Sequence, residues 1–341
     1  MPEQSIDSAL LRVVSSHAGY PQAFAHPPVP ISGGFWAAIY GFELLDPPDD
    51  LRGRLVLRVM PNAVVGEVET IVHREVAAQG YPTPRVAVSG FDAELGGAFI
   101  VMERVDGAQL LAGVHLGSAV LRLPKIVRRI AHQLASASTQ LHRLDPEPVM
   151  NALTAAGVDV ASLGPHVRLA EIRAAANRSS AGFDGLLTWL EDHRPSFEPA
   201  VVCHGDIHPF NMLAKPDGSF DVLDWTNGCL CRREYDVGCT AALLHCPPIA
   251  VPRLAEGVLR AITGSLARRF VDAYRRTSPV NLDVVEWFET LQYGRCLGSV
   301  ALAPLDDPII GPKHPFRISA SAMARQVRMI TGTTIDVATM R

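Results

Sequence analysis

The chain has 341 residues, of which 48% are hydrophobic and 19% are charged, and its formal net charge at pH 7 is −4. This composition predicts a globular protein with a sizeable core, and it argues against a disordered chain or a nucleic-acid binder with a basic stripe. No apolar run reaches the roughly 20 residues that span a bilayer, and the six cysteines form no secreted-domain framework, so we expect a cytoplasmic protein with reduced thiols and no membrane partner.

The first hundred residues are predicted to be mainly strands with one helix. The segment from about 66 to 80 has a helical period, and Gly80 lies just past the end of the predicted helix. Apolar runs with β-branched residues predict strands, and these runs are 31–45 (two strands around a glycine turn), 54–60 and 98–107. Residues 1–105 are therefore predicted to hold an antiparallel sheet plus a helix.

The remainder of the chain, 106–341, is predicted to be mostly helical. Segment 123–144 places apolar residues at steps of three and four, which is typical of an amphipathic helix. Further helical patterns cover 165–177, 182–193, 252–277 and 283–303. The exception is 200–225, where two apolar runs bracket a polar stretch, and this pattern predicts a small β-hairpin entered by a polar loop.

That polar loop lies in VVCHGDIHPFNML, residues 201–213. Phosphoryl transfer needs Mg²⁺ to neutralise a polyphosphate and a carboxylate placed against the acceptor hydroxyl. Magnesium takes only one or two carboxylates from a protein, with other oxygen ligands. Asp206, Asn211 five residues later, and Asp224 at the end of the next apolar run supply that set of groups.

The same loop is open to two other interpretations. Asp206 and Asn211 could simply support a turn. A metal-dependent hydrolase could use the alternating His204, Asp206 and His208, but two-metal hydrolysis needs further ligands. Those ligands would come from a D-x-H tripeptide upstream of the loop and a G-N-H tripeptide downstream of it, and the sequence has neither at those places.

The motif V-C-H-G-D-I-H-P-F-N followed by V-L-D-W resembles the signature of the aminoglycoside phosphotransferase family, the choline-kinase-like or protein-kinase-like small-molecule kinases. Other landmarks in family order run from residue 31 to about 240, including LVLRVM, FIVMERVDG and REYDVG. The resemblance implies an α+β, two-lobed protein-kinase-like fold. It further implies a nucleotide-binding lobe at 1–105 and a catalytic, substrate-binding lobe at 106–341 with a small catalytic β-hairpin.

The resemblance also implies roles for the residues of the loop. Asp206 would be the catalytic residue that orients the acceptor hydroxyl, while Asn211 and Asp224 would bind Mg²⁺. Structural support is implied for three further residues: His204, His208 and Asp236.

The same resemblance implies a nucleotide site in the first lobe. Arg58 stands where a protein kinase has a lysine, and we expect it to bind phosphate and to pair with Glu75, with Glu69 as second choice. Backbone N–H groups of the glycine turn would approach the phosphates, and the residues concerned are Ser32, Gly33 and Gly34. The adenine would contact the hinge residues Met102, Glu103 and Val105.

The expected activity is therefore transfer of the γ-phosphoryl group of ATP, or of GTP as in some members, to a small-molecule hydroxyl. The acceptor stays open between aminoglycoside-like, macrolide-like, amino-alcohol and sugar compounds. Acids available for a polycationic acceptor are Glu171, Asp184, Glu286, Glu289, Asp306 and Asp307. A catalytically silent kinase-like nucleotide-binding protein is the alternative, and the sequence does not indicate an oligomeric state.

Overall fold

The protein is described by a computed structural model that covers residues 3–31, 37–110, 116–197 and 201–340. These residues form ten strands: β1 (Ala23–Pro30), β2 (Ala38–Leu45), β3 (Arg54–Met60), β4 (Val86–Asp92), β5 (Gly97–Glu103), β6 (Ala108–Gln109), β7 (Val201–Cys203), β8 (Met212–Ala214), β9 (Phe220–Val222) and β10 (Cys229–Cys231). They also form ten α-helices: α1 (Glu3–Ala18), α2 (Ala63–Ala78), α3 (Leu116–Leu141), α4 (Glu147–Ala155), α5 (Pro165–Arg178), α6 (Phe183–Asp192), α7 (Arg233–His245), α8 (Glu256–Arg275), α9 (Leu282–Leu302) and α10 (Pro315–Thr331).

The chain divides into two compact units, each built from three segments. The first unit contains Met1–Ala108, Glu147–Val158 and Met212–Gly228. The second contains Gln109–Pro146, Asp159–Asn211 and Cys229–Arg341. The predicted lobes, 1–105 and 106–341, are each continuous in sequence, whereas the first compact unit also contains two short later segments. The lobe boundary at residue 105 therefore stays a prediction.

The first unit is built on a five-stranded antiparallel sheet in the order β1-β2-β3-β5-β4. The central strand β3 covers the predicted residues 54–60. Because side chains alternate across a strand, Leu55, Leu57 and Val59 join the core on one face. Arg58 therefore lies on the opposite face, which packs against α2.

A second helix in this unit, α1, was not predicted, so the expectation of a single helix among the first hundred residues is wrong. Its buried side chains recur at steps of one helical turn, and they are Ile6, Ala9, Leu10 and Val14. Polar residues such as Asp7 and Ser8 separate them, and steps of three and four are the pattern of an amphipathic helix, so the sequence does carry a signal for α1.

The second unit is mostly helical, as predicted. Helix α9 contacts α5, α7 and α10, and its Trp287 and Phe288 are almost completely buried. The short strands β7 and β10 pair antiparallel with Cys203 opposite Cys229, and this ladder supports the start of the polar loop. Among the described helices, none combines the length and the apolar character that a membrane span requires.

Candidate active site

The polar loop begins where β7 ends and brings Asp206 and Asn211 into contact. The Asn211 side-chain amide donates hydrogen bonds to the Asp206 carbonyl at 3.1 Å and to its carboxylate at 3.3 Å. The Asn211 backbone N–H closes a turn onto the carbonyl of His208 at 3.0 Å. The five-residue spacing of the motif thus folds into a local arrangement in which the amide nitrogen of Asn211 fixes the Asp206 side chain.

The two histidines of the loop have different environments. His204 is completely buried, whereas the His208 side chain is 22% exposed and lies 3.7 Å from the Asp206 carboxylate. The Nδ1 atom of His208 accepts a hydrogen bond from the Phe210 backbone N–H at 3.2 Å. The proton of a neutral His208 ring is therefore on Nε2, the atom that faces Asp206.

Asp236 holds the loop from behind through two backbone N–H groups. Its carboxylate accepts hydrogen bonds from His204 N at 2.9 Å and from Gly205 N at 2.5 Å. His142 Nε2 lies 3.0 Å from the same carboxylate, and its Nδ1 lies 2.7 Å from the hydroxyl of Tyr274. Burial opposes the charge of Asp236, but these hydrogen bonds outweigh it and hold its pKa below the ordinary value.

A second group of polar side chains surrounds Arg58 in the first unit. The Arg58 guanidinium lies 3.1 Å from Glu69 and 2.9 Å from Asp224, and it donates a 2.8 Å hydrogen bond to the Thr226 hydroxyl. The Thr226 hydroxyl is also 3.0 Å from Glu69. These four side chains form one network, in which Arg58 and Glu69 are buried while Asp224 and Thr226 are partly exposed. An arginine between two carboxylates keeps its charge.

The first-choice partner of Arg58, Glu75, is wrong, and the second choice, Glu69, is the observed one. Six residues along a helix correspond to about 240° of rotation, so Glu75 faces away from the sheet and lies 3.6 Å from Arg74. Glu69 is 1% exposed. Its burial raises its pKa to about 7, against the opposing attraction of Arg58.

Asp224 has a backbone conformation that is rare for a residue with a side chain. Its φ is +67°, in the left-handed region, two residues after the end of strand β9. The next residue, Trp225, is fully buried and donates a hydrogen bond from its indole N–H to the Thr83 hydroxyl at 2.9 Å. Thr83 in turn donates to the Val222 carbonyl at 2.8 Å, so both sides of the strained residue are anchored.

The predicted hinge residues Met102, Glu103 and Val105 are half-buried. Met102 is paired with Val56 on β3. Glu103 and Val105 line an open cavity of about 530 Å³, whose other lining residues are Arg104, Asp106, Lys215, Pro216 and Asp217. The predicted glycine-turn residues Ser32, Gly33 and Gly34 lie outside the described residues.

Two residues of these networks were missed by sequence reasoning. Thr226 lies two residues after Asp224, and no sequence pattern indicated a role for it. Arg168 lies on the buried face of α5 with Leu169 and Ile172, and it donates a hydrogen bond to the Gly205 carbonyl at 2.8 Å. Its position among the apolar residues of one helix face is unusual for a charged side chain, and this could have indicated Arg168 as a functional candidate.

The sequence motif implies Mg²⁺, and Asn211 and Asp224 carry oxygen atoms that suit this ion. Magnesium prefers oxygen ligands, with few carboxylates from the protein. Because the Asn211 amide nitrogen is committed to Asp206, its carbonyl oxygen is the atom that remains for a metal. Asp224, in the first unit, has a carboxylate whose side chain is 32% exposed. Each of the two side chains, taken by itself, offers an oxygen donor of the kind that Mg²⁺ binds.

The antiparallel sheet of the first unit and the mostly helical second unit match the fold of kinase-like phosphotransferases. A sequence model of the phosphotransferase enzyme family (APH) matches residues 46–278, and the chain belongs to this family. The comparison with curated proteins gave no match.

Solved structures share the fold at low sequence identity. A thermostable mutant of aminoglycoside phosphotransferase APH(4)-Ia, in complex with ADP and hygromycin B, has a TM-score of 0.57 and 15% identity over 93% of this chain and 98% of its own. Macrolide 2′-phosphotransferase from Brachybacterium faecium has a TM-score of 0.53 and 18% identity, over 86% of this chain and 92% of its own. The aminoglycoside-3′-phosphotransferase of type VIII has a TM-score of 0.51 and 21% identity, over 84% of this chain and 98% of its own.

Proposed function

We propose that the protein transfers the γ-phosphoryl group of ATP to a hydroxyl of a small molecule in a Mg²⁺-dependent reaction. The observation that supports this most directly is the contact of Asn211 with Asp206 in a loop held by Asp236. Such a loop presents one carboxylate in a fixed direction, which is what phosphoryl transfer to a hydroxyl requires.

Asp206 is the residue that orients the acceptor hydroxyl and receives its proton. The transition state of phosphoryl transfer is loose, so the position of the hydroxyl matters more than the basicity of the carboxylate. The Asn211 amide restricts the Asp206 side chain to one direction. His208, 3.7 Å away, adds a polar neighbour on the exposed side of the loop.

The nucleotide would use groups of the first unit. Arg58 would bind phosphate oxygens, since its guanidinium is held in place by Glu69 and Thr226. Asn211 and Asp224 would be Mg²⁺ ligands, and the ion would neutralise charge on the phosphates. The ADP complex of the APH(4)-Ia mutant supports a nucleotide co-substrate, and GTP remains an alternative to ATP. A cytoplasmic location fits a nucleotide-dependent reaction.

The acceptor is proposed to be a hydroxyl compound of the aminoglycoside-like, macrolide-like, amino-alcohol or sugar classes. The similar structures include a hygromycin B complex of APH(4)-Ia and a macrolide 2′-phosphotransferase, and these two proteins support the first two classes. Two of the acids considered for a polycationic acceptor are already paired. Glu171 lies 3.2 Å from Arg295, and Glu289 lies 3.2 Å from His245. The acceptor screen therefore needs neutral compounds as well as cationic ones.

The test is a mass-spectrometric screen with Mg²⁺-ATP and pooled acceptors of these four classes. We expect a product heavier by one phosphoryl group with the wild type, and a rate lower by about 100-fold or more with Asp206→Asn. Asp272→Asn changes an exposed carboxylate on α8 and serves as the matched control.

The other outcomes distinguish the alternatives. Absence of product together with a Mg²⁺-ATP-dependent rise in melting temperature would favour a silent nucleotide-binding protein. Hydrolysis of a phosphate ester with added metal and without nucleotide binding would favour the metal-dependent hydrolase.

A further inference from the structure

Arg168 is a buried cation that contacts the backbone of the catalytic loop. Only 2% of its surface is exposed. One terminal nitrogen donates to the Gly205 carbonyl at 2.8 Å. The other donates to the Gln292 side-chain oxygen and lies 2.8 Å from Cys239 Sγ. The guanidinium carbon also lies 4.8 Å above the ring of Tyr235.

The two peptide groups that flank Gly205 are therefore held by opposite charges. The Gly205 N–H donates to the Asp236 carboxylate, and the Gly205 carbonyl accepts from the Arg168 guanidinium. Hydrogen bonds to charged groups are about twice as strong as neutral ones. Gly205 has a φ of +74°, a conformation that glycine adopts without steric cost. Both contacts thus fix this left-handed turn, and Asp206 is the next residue.

The environment of Arg168 is unusual for a residue that only fills space. Among the ion pairs of the described residues, none joins Arg168 to a carboxylate within 4.0 Å. Its hydrogen-bond acceptors there are the Gln292 side-chain oxygen, the Gly205 carbonyl and the Cys239 sulfur. Burying a guanidinium in this way is costly. Burial opposes its charge, yet the electrostatic attraction of Cys239, Tyr235 and Asp206 raises its pKa. The Asp206 carboxylate of the catalytic loop is thus among the groups that offset the energetic cost of burying Arg168.

We propose that Arg168 is a positioning residue for the phosphoryl transfer, acting through the Gly205 carbonyl to fix the direction of Asp206. This inference rests on the proposed function of Asp206. Arg168 itself contacts neither the phosphates nor the acceptor in this role. Its effect is expected on the chemical step and on the rigidity of the loop, and only weakly on nucleotide binding.

The first test measures the loop without any acceptor. Hydrogen exchange resolved to single amides would compare wild type, Arg168→Met, Arg168→Lys and Arg173→Met. Arg173 lies on the same helix with a side chain that is 55% exposed, which makes it the matched control. We expect the His204 and Gly205 amides to exchange at least tenfold faster in Arg168→Met, with partial recovery in Arg168→Lys and no change in Arg173→Met.

The second test uses the acceptor found in the screen. We expect kcat of Arg168→Met to fall by about 100-fold, the size of effect that misplacing a reacting group produces, while KM for ATP stays within twofold. Arg168→Lys should recover part of kcat. Unchanged loop exchange, or exchange that rises equally throughout α7 and α9, would overturn the positioning role. If no acceptor is phosphorylated, the proposed function fails, and the exchange result still decides whether Arg168 holds the loop.

Discussion

At the scale of single residues, Arg58 shows how a buried charge is accommodated. Its guanidinium lies between the carboxylates of Glu69 and Asp224, with the Thr226 hydroxyl as a further acceptor. A buried ion pair contributes little compared with a well-packed apolar pair, but removal of one partner leaves an uncompensated charge. The network therefore makes the exact position of each carboxylate important for stability and, in the proposed function, for nucleotide binding.

We predict that Glu69→Ala destabilises the protein by about 3 kcal/mol, the lower end of the cost of breaking a buried ion pair, because Asp224 remains as a partner of Arg58. The affinity for ATP should also fall, since Arg58 loses the contact that orients it. Urea denaturation and a nucleotide titration measure the two effects.

The matched control is Glu75→Ala, which removes a partly exposed carboxylate next to Arg74. Its expected change in the free energy of unfolding is within about 0.5 kcal/mol. Equal effects of the two substitutions would contradict the assignment of Glu69 as the partner of Arg58.

Sequence reasoning reached some of these residues and missed others for a physical reason. Asp206 and Asn211 belong to one short loop, so their spacing alone predicted that they act together. Arg58 and Glu69 lie on different elements, and choosing between Glu69 and Glu75 required the rotation of α2 against the sheet. Arg168 comes from a helix 37 residues before Gly205, and no local pattern records that contact.

At the scale of elements, the close approach of α2 to the sheet determines where Glu69 lies. A Cβ atom at Gly66 would lie 2.4 Å from the Cβ of Ala98 on β5 and 3.3 Å from the end of Met60. Such a distance is far below van der Waals contact, so only glycine permits this spacing. Glu69 follows three residues later, nearly one turn along the same helix.

We predict that Gly66→Ala destabilises the protein by about 1–3 kcal/mol, the usual cost of overpacking, although alanine favours helices. The helix would have to move away from β5 and would carry Glu69 with it, so ATP affinity should fall too. Thermal unfolding and nucleotide titration measure both effects.

Gly264→Ala on α8 is the control, because a Cβ there would meet only the end of the Arg268 side chain at 3.4 Å. This substitution should stabilise the protein by roughly 0.5–1 kcal/mol. A stabilising Gly66→Ala would show that α2 can shift at no cost and would refute the packing argument.

At the scale of the whole molecule, the first unit depends on segments that are distant in sequence. Val149 and Leu153 of α4 are fully buried, and α4 contacts α2. Trp225 is fully buried beside Tyr81, with ring centroids 5.6 Å apart. The periodicity of 1–105 predicted the sheet and α2, but nothing within that stretch indicated that its core would be completed by residues 147–158 and 212–228.

We therefore predict that a fragment ending at residue 110 does not fold cooperatively. It would lack Trp225 and helix α4, leaving the apolar surfaces they cover on α2 and around Tyr81 in water. Each large side chain lost from a core costs about 3–5 kcal/mol, and a domain has only about 5–15 kcal/mol of stability. Calorimetry should show no sharp transition for the fragment and a sharp one for the full chain. A fragment that unfolds sharply, without binding a dye for exposed apolar surface, would mean that residues 1–110 form a complete core by themselves.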